Sequence, residues 1–404
     1  MAKIVPFKAV RPARDKVSLV ISRSYDEYSA AELASQLDYN PFSFLHVLNP
    51  AYVNVQKIAT ATRLKAVNLK YEEFKESQVL KKEEEPIFML YEIKSKGNTY
   101  TGIIAGTSLE DYRNNVIKKH EDTLSYRVEY FKEYLDYTGF NTEPVLITYP
   151  EDKELQDWIT AKKQNRPLYH FSSVNRNMHT LWRIKYDDEI EWIKKKFEGM
   201  DSIYIADGHH RSASANMLLE QNQDSDNENL NYFMSFLIAE SDLKINEYNR
   251  IVHDLNGLSS EQFLEALSND FIIENKKQEL WKPNEKFSFG MYFNGEFYAL
   301  QLKEKEFNSV YEALDARILY EKVLHPLLGI TDLRNDERIE YIPGNQPITN
   351  IKKMVDESEF EVGFMLYPPT IDEIKNLADN NLIMPPKSTY IEPKFRSGLV
   401  VYEL

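Results

Sequence analysis

Asp207, Gly208, His209, His210 and Arg211 stand side by side in "IYIADGHHRSASANMLL" (203–219), between an apolar β-type run and a run with the small and apolar spacing of a buried helix. Glycine at 208 permits a tight turn and a close approach. The first turn of a helix presents N–H groups without partners in the helix and the positive end of the dipole, which makes an anion site before any side chain is counted. Arg211 adds a planar fork that suits phosphate, and the imidazoles add directed donors. The structural alternative is that Asp207 caps the helix and the basic residues form a surface cluster. Capping accounts for Asp207 but leaves three cationic or potentially cationic groups at a helix end that disfavours positive charge. A metal site built on the two histidines is weaker, because sequence neighbours point apart and no third ligand lies nearby.

Two further stretches carry chemistry. "KKHEDT" (118–123) sets Glu121 beside His120 and two lysines, as a general base tuned by its neighbours would be, although the same composition describes an ordinary charged helix surface. "MPPKSTYIEPKFRSGL" (384–399) presents Lys387, Ser388, Thr389, Lys394 and Arg396 on a backbone stiffened by Pro385, Pro386 and Pro393. Stiff backbone with hydroxyls and cations suits phosphate or carboxylate recognition; an edge strand closing a domain would look the same.

Positioning these groups falls to a mixed set of elements. Helix-like "SAAELASQL" and "YEEFKESQVLKK" lie in the first 85 residues, which end in the charged connector "KKEEEP". "IFMLYEIKSKGNTYTGIIAG" predicts two strands about a Gly97-Asn98 turn. A helix-rich stretch from Ser108 to Gly139, broken near His120, follows. Strands "PVLITY" (144–149) and "TLWRIKY" (180–186) then flank a polar helix, and "DDEIEWIKKKFEG" predicts another. Beyond about 235 the pattern changes: "FSFGMYFNGEFYALQL" predicts a hairpin at Asn294-Gly295, and Thr370 with Glu373 has capping-box spacing. Alternating strands and helices predict a mixed α/β, α+β fold. The expected division is an N-terminal region 1–85, a core 86–240 and a C-terminal α+β domain 241–404. No internal repeat or low-complexity tract is visible.

Composition narrows the function. The 404 residues carry 64 acidic against 49 basic side chains, a net charge of −15, which argues against a broad grip on nucleic acid or anionic membrane. There is no cysteine, which excludes disulfides, thiolate catalysis and cysteine-ligated metal. The opening "MAKIVPFKAVRPARDK" has no signal-peptide core, and no run approaches the ~18 apolar residues of a membrane span, so a soluble cytoplasmic protein is expected.

"ADGHHR", "KHEDT" and "PPKST" together resemble, in kind and order, motifs of the free L-serine kinases built on the ParB/sulfiredoxin-like fold. The chain as a whole resembles a bacterial family labelled a domain of unknown function and related to those kinases, through "NPFSFLHV", "YNRIVHDL" and "RIEYIPG" as well. The resemblance implies a ParB/sulfiredoxin-like nucleotide-binding core and transfer of a phosphoryl group from ATP or ADP, with Mg2+, to the hydroxyl of free serine or a similar metabolite. It implies Glu121 as general base with His120 beside it, Asp207 as the catalytic-site acid that orients the amino-acid substrate or a magnesium ion, and Arg250 at the substrate. Gly208, His209, His210 and Arg211 would cradle phosphates, joined by Lys387, Ser388 and Thr389. Sulfiredoxin chemistry needs a cysteine where His209 stands, and ParB-type clamps need basic surfaces that this acidic chain lacks. The alternative is a non-catalytic nucleotide-binding regulator.

Overall fold

The computed structural model describes residues 1–49, 60–357 and 359–404. They divide into two compact units: residues 1–119, 123–243 and 393–404 form one, and residues 120–122 with 244–392 form the other.

The first unit is built on a nine-stranded mixed sheet. Its strands run in the order Ile117–Lys118, Ile203–Asp207, Val145–Tyr149, Tyr232–Ala239, Asn98–Ser108, Phe88–Ser95, Met178–Ile184 and Tyr169–Ser172, with Ile4–Val5 added along Asn98–Ser108. Ile203–Asp207 runs parallel to Ile117–Lys118, and Tyr232–Ala239 parallel to Val145–Tyr149; the other pairings are antiparallel. Period-2 alternation sends Leu90, Ile103, Ala105, Val145, Ile147, Ile203, Ile205 and Leu237 to one face. There they pack with Leu155, Ile193 and Phe197 of helices Lys153–Lys162 and Asp187–Glu198, and with Leu218 of His209–Gln221.

The Phe88–Ser95 hairpin forms as predicted, with Lys96 and Gly97 at its tip, both at positive φ, one residue earlier than the sequence signal placed it. "PVLITY", "TLWRIKY" and "DDEIEWIKKKFEG" also form their predicted elements. Two expectations are corrected, and one strand was missed. The helix around "YEEFKESQVLKK" stops at Glu76; Leu80–Lys82 is a strand paired with Val10–Pro12, because the buried Leu80 and the ladder partner outweigh the helix propensity of its neighbours. The stretch after Ser108 is a short helix, Leu109–Arg113, then the strand Ile117–Lys118, then the helix Ser125–Thr138, so "KHEDT" lies in a loop and not on a helix surface. The strand Tyr169–Ser172 carried no clear signal, lying on the sheet edge with mostly polar or half-buried side chains.

The ends of the chain meet in this unit. Val10 bridges Val401, Ser22 bridges Ser397, and Tyr402–Glu403 pairs with Phe140–Asn141. Glu403 accepts from Lys75 at 2.7 Å, Lys82 at 2.6 Å and the Tyr71 hydroxyl at 3.0 Å. The segment 393–404 is thereby fastened to the N-terminal region.

The second unit is a six-stranded antiparallel sheet, ordered Phe271–Lys277, Glu296–Leu302, Ser288–Phe293, Val362–Met365, Tyr248–Val252 and Ile339–Pro343. Both faces are covered: Val252, Phe289, Met291 and Phe293 join one core cluster, while Ile251, Tyr292 and Met365 join another with Ile351 and Val355. The Asn294-Gly295 hairpin and the Thr370–Glu373 capping box form as predicted.

No helix of the described residues is long and apolar enough to cross a membrane. A Cβ at Gly102, in the centre of the large sheet, would land on the Leu237 carbonyl oxygen and 2.6 Å from the Phe236 ring. Gly102→Ala is therefore expected to destabilise the chain by about 1–3 kcal/mol through overpacking, measured by urea unfolding.

Candidate functional site

The strand Ile203–Asp207 is buried from Ile203 to Ala206 and carries a bulge between Ile205 and Asp207, so that Asp207 pairs opposite Leu146. A bulge at the end of a strand re-aims the side chain that follows it. Gly208 comes next at φ +99°, and the helix His209–Gln221 begins immediately. Only glycine takes that left-handed conformation without strain, and a Cβ there would also lie 3.2 Å from the Val145 Cα. The Gly208 carbonyl accepts from the Arg211 and Ser212 amides at 2.9 and 3.1 Å.

Gly208, not Asp207, occupies the N-cap position, and this helix has neither a side-chain cap nor an acid in its first turn. The alternative reading, in which Asp207 caps the helix, is thus excluded by the extra residue between them. The Asp207 carboxylate turns instead to the Lys394 ammonium, 2.8 Å away. Burial alone would raise its pKa, but the charges of Lys394 and Arg211 and the Lys394 hydrogen bond outweigh that and hold it down to about 2. Asp207 is ionised at any physiological pH.

The basic residues are individually anchored. Arg211 donates from Nη1 to the Pro144 carbonyl at 2.7 Å, and its Nη2 lies 3.5 Å from Glu143. Glu143 in turn accepts from the Ser397 hydroxyl at 2.7 Å, and Thr142 accepts from the Gly398 amide at 2.6 Å. His210 Nε2 accepts from the Leu124 amide at 3.1 Å, which assigns its neutral proton to Nδ1. His209 is buried. The Ser214 hydroxyl bonds the His210 carbonyl at 2.6 Å and the Val128 carbonyl at 3.0 Å, tying this helix to Ser125–Thr138.

The other predicted residues belong to the second unit. His120 is buried and its carbonyl accepts from the Met384 amide at 2.9 Å; Glu121 is half-buried, and Asp122 pairs with Arg334 at 3.1 Å. Arg250 is buried, with Nη1 on the Tyr248 carbonyl and Nη2 on the Lys387 carbonyl at 3.1 Å. Burial pulls its pKa down to about 10, against the opposing influence of Tyr341 and Glu247. Lys387 is exposed at φ +54°, its ammonium 5.1 Å from the centre of the Tyr248 ring. The Ser388 hydroxyl is buried and donates to the Pro385 carbonyl at 2.7 Å, while Thr389 is half-buried. Within the first unit the fold brings 207–211 together with Lys394 and Glu143. Within the second it joins Arg250 to the 387–389 turn. Neither Glu143 nor the pairing of Lys394 with Asp207 carried a local sequence signal, since both depend on residues distant along the chain.

A mixed α/β protein with an uncapped helix end beside an ionised carboxylate is the class defined here. The chain belongs to the family described as "Protein of unknown function (DUF1015)", which matches residues 4–317. No curated protein matches it. Among solved structures, a free serine kinase in complex with AMP is similar at 14% identity and a TM-score of 0.37, covering 73% of this chain and 88% of that one. A conserved hypothetical protein from Pyrococcus furiosus is similar at 14% and 0.36, covering 73% and 91%. SbnI with C-terminal truncation from Staphylococcus aureus is similar at 13% and 0.37, covering 72% and 84%.

Two outcomes are expected. Gly208→Ala should destabilise the chain by roughly 1–3 kcal/mol, from strain at positive φ plus the Val145 contact, as read by urea unfolding. Asp207→Asn should cost under about 1 kcal/mol at pH 7, because the pair is a third exposed. With its folded pKa below the unfolded one, Asp207 contributes stability above about pH 4 and loses it as pH falls toward 2; the gap between wild type and Asp207→Asn should narrow over that window in pH-dependent denaturation.

Proposed function

We propose that this chain is a phosphotransferase that moves a phosphoryl group from ATP or ADP to the hydroxyl of free L-serine or a similar small hydroxylated metabolite, on a ParB/sulfiredoxin-like core. The observation that carries it is the Gly208 junction: a 13-residue helix whose amino end, lacking a cap or acid of its own, adjoins a carboxylate kept ionised by Lys394. Such an end attracts phosphate oxygens through backbone N–H groups and the dipole. The order of the ADGHHR, KHEDT and PPKST motifs supports the same chemistry.

In the reaction the substrate hydroxyl oxygen bonds to the terminal phosphorus, the bond to the nucleotide's bridging oxygen breaks, and the hydroxyl proton passes to Glu121, with His120 beside it. O-phosphoserine and ADP or AMP leave. His209, His210 and the helix end would hold phosphate oxygens, with Lys387 and Thr389 as further donors. Arg211 and Ser388 would first have to loosen their carbonyl contacts, and Arg250 would act at the amino acid through the turn it supports. Magnesium would arrive with the nucleotide, neutralising its phosphates; the ionised Asp207 carboxylate is chemically suited to meet it or the substrate ammonium.

Incubation of the purified chain with magnesium, serine and either nucleotide should give phosphoserine by mass spectrometry. Glu121→Gln should lower turnover at least about 100-fold while leaving nucleotide affinity by calorimetry within about twofold. Full activity in Glu121→Gln removes it as the base. Tight nucleotide binding without transfer to any hydroxylated amino acid would favour a non-catalytic regulator.

A further inference from the structure

One arginine of the first unit is buried with almost none of its donors spent. Arg396 is 9% exposed, its Nε is buried without a hydrogen-bond partner, and its Nη2 makes one long contact, 3.4 Å, to the Ser173 hydroxyl. Among the described residues no carboxylate pairs with it. A guanidinium carries five N–H donors and a permanent charge, and burying both without an acceptor is costly. Other sheltered arginines are treated differently: Arg250 places both Nη atoms on carbonyls, and Arg11 pairs with Glu83.

A second unmet donor belongs to the same cluster. His179 is fully buried, stacked on Tyr91 at 5.9 Å and on Phe171 at 5.3 Å between ring centres. Its Nδ1 lies 2.7 Å from the Tyr91 hydroxyl, and its Nε2 has no partner. With the ring proton on Nδ1, the buried phenol proton and the Nε2 lone pair would both be stranded. With the phenol donating to Nδ1, only the Nε2 proton is stranded, so the Nε2–H tautomer is favoured. Burial, with the Arg396 charge adding to it, holds the His179 pKa down to about 3, so the imidazole is neutral. Burial raises that of Tyr91 against the Arg396 charge, so the phenol keeps its proton. The chain delivers Arg396 to this place through its neighbour: Phe395 packs on Phe236 at 5.1 Å, and Phe236 meets Tyr91 at 5.8 Å.

Two buried N–H groups, one of them on a cation, thus lack an acceptor within one aromatic cluster. A water would accept from both and leave the charge uncompensated; a small anion does both, in little more room than a water needs. We propose that Arg396 Nε and His179 Nε2 form a site for a small monovalent inorganic anion of the halide class. The rings of Phe171, Tyr91, Phe236 and Phe395 pack around it, which favours a single atom over an organic acid. Arg396 follows Lys394 by two residues, so the anion neutralises a charge on the segment that holds Asp207.

The proposal does not rest on phosphoryl transfer, since its residues all lie in the first unit and no nucleotide is needed. The test is thermal unfolding of the full chain in sodium gluconate exchanged stepwise for sodium chloride at constant ionic strength. The melting temperature should rise with chloride by about 2 °C or more and then level off; bromide should do the same. Arg396→Gln and His179→Gln should each abolish the rise. The gap between wild type and Arg396→Gln should widen from gluconate to chloride, whereas a purely structural arginine gives the same gap in both. Crystals of the wild type soaked in bromide should show an anomalous peak within hydrogen-bond distance of both Arg396 and His179, a reading that depends on no variant. Three results would overturn the proposal: no halide-dependent shift in the wild type, an unchanged shift in Arg396→Gln, or bromide found on the surface as an adventitious ion only, with water between Arg396 and His179.

Discussion

The ion pair of Asp207 and Lys394 joins residues 187 positions apart, and the geometry of the first unit's candidate site depends on it. As an energy term it is small, being partly exposed. As a positional constraint it is large, because it holds an ionised carboxylate at the mouth of a helix and away from the cap position that would have neutralised the helix end. Lys394 can do this only because its segment is fastened in turn by Ser22, Val10, Phe140 and the Glu403 cluster with Lys75 and Lys82. The N-terminal region therefore mounts the site, though none of the motif residues belongs to it.

Local backbone geometry and long-range charge act together at Gly208. The left-handed turn lets the helix start one residue after the strand ends, which leaves no room for a side-chain cap and keeps the N-terminal field pointed outward. Arg211, the residue whose fork most suggests phosphate, is held by Pro144 and Glu143. The attraction for an anion thus falls first to backbone groups, with Lys394 spent on Asp207 and Arg211 setting the shape of the turn.

Buried charges in the second unit follow two different rules. Arg250 places both Nη atoms on backbone carbonyls, though its Nε has no hydrogen-bond partner, and it holds the carbonyl of Lys387, a non-glycine residue in the left-handed region, so its burial supports a turn. Asp315 is satisfied on one oxygen only, and its cleft is lined by Lys286, itself ion-paired with Glu373, and by Glu247.

Sequence alone determined the local features: the strand-glycine-helix junction at 203–219, both hairpins, the Thr370 capping box and the mixed fold class, because turn chemistry and hydrophobic period act over a few residues. It also marked 118–123 and 384–399 as unusual, but placed the first in a helical stretch, where the edge strand Ile117–Lys118 and a loop stand instead. Only the tertiary structure decided that Asp207 pairs with Lys394 and leaves the helix uncapped, that Arg211 is spent on Glu143 and Pro144, and that Asp315 and Glu247 share a cleft. Those partners come from segments tens to hundreds of residues apart, and the pKa of each carboxyl is set by what burial and folding place beside it, which no window of sequence contains.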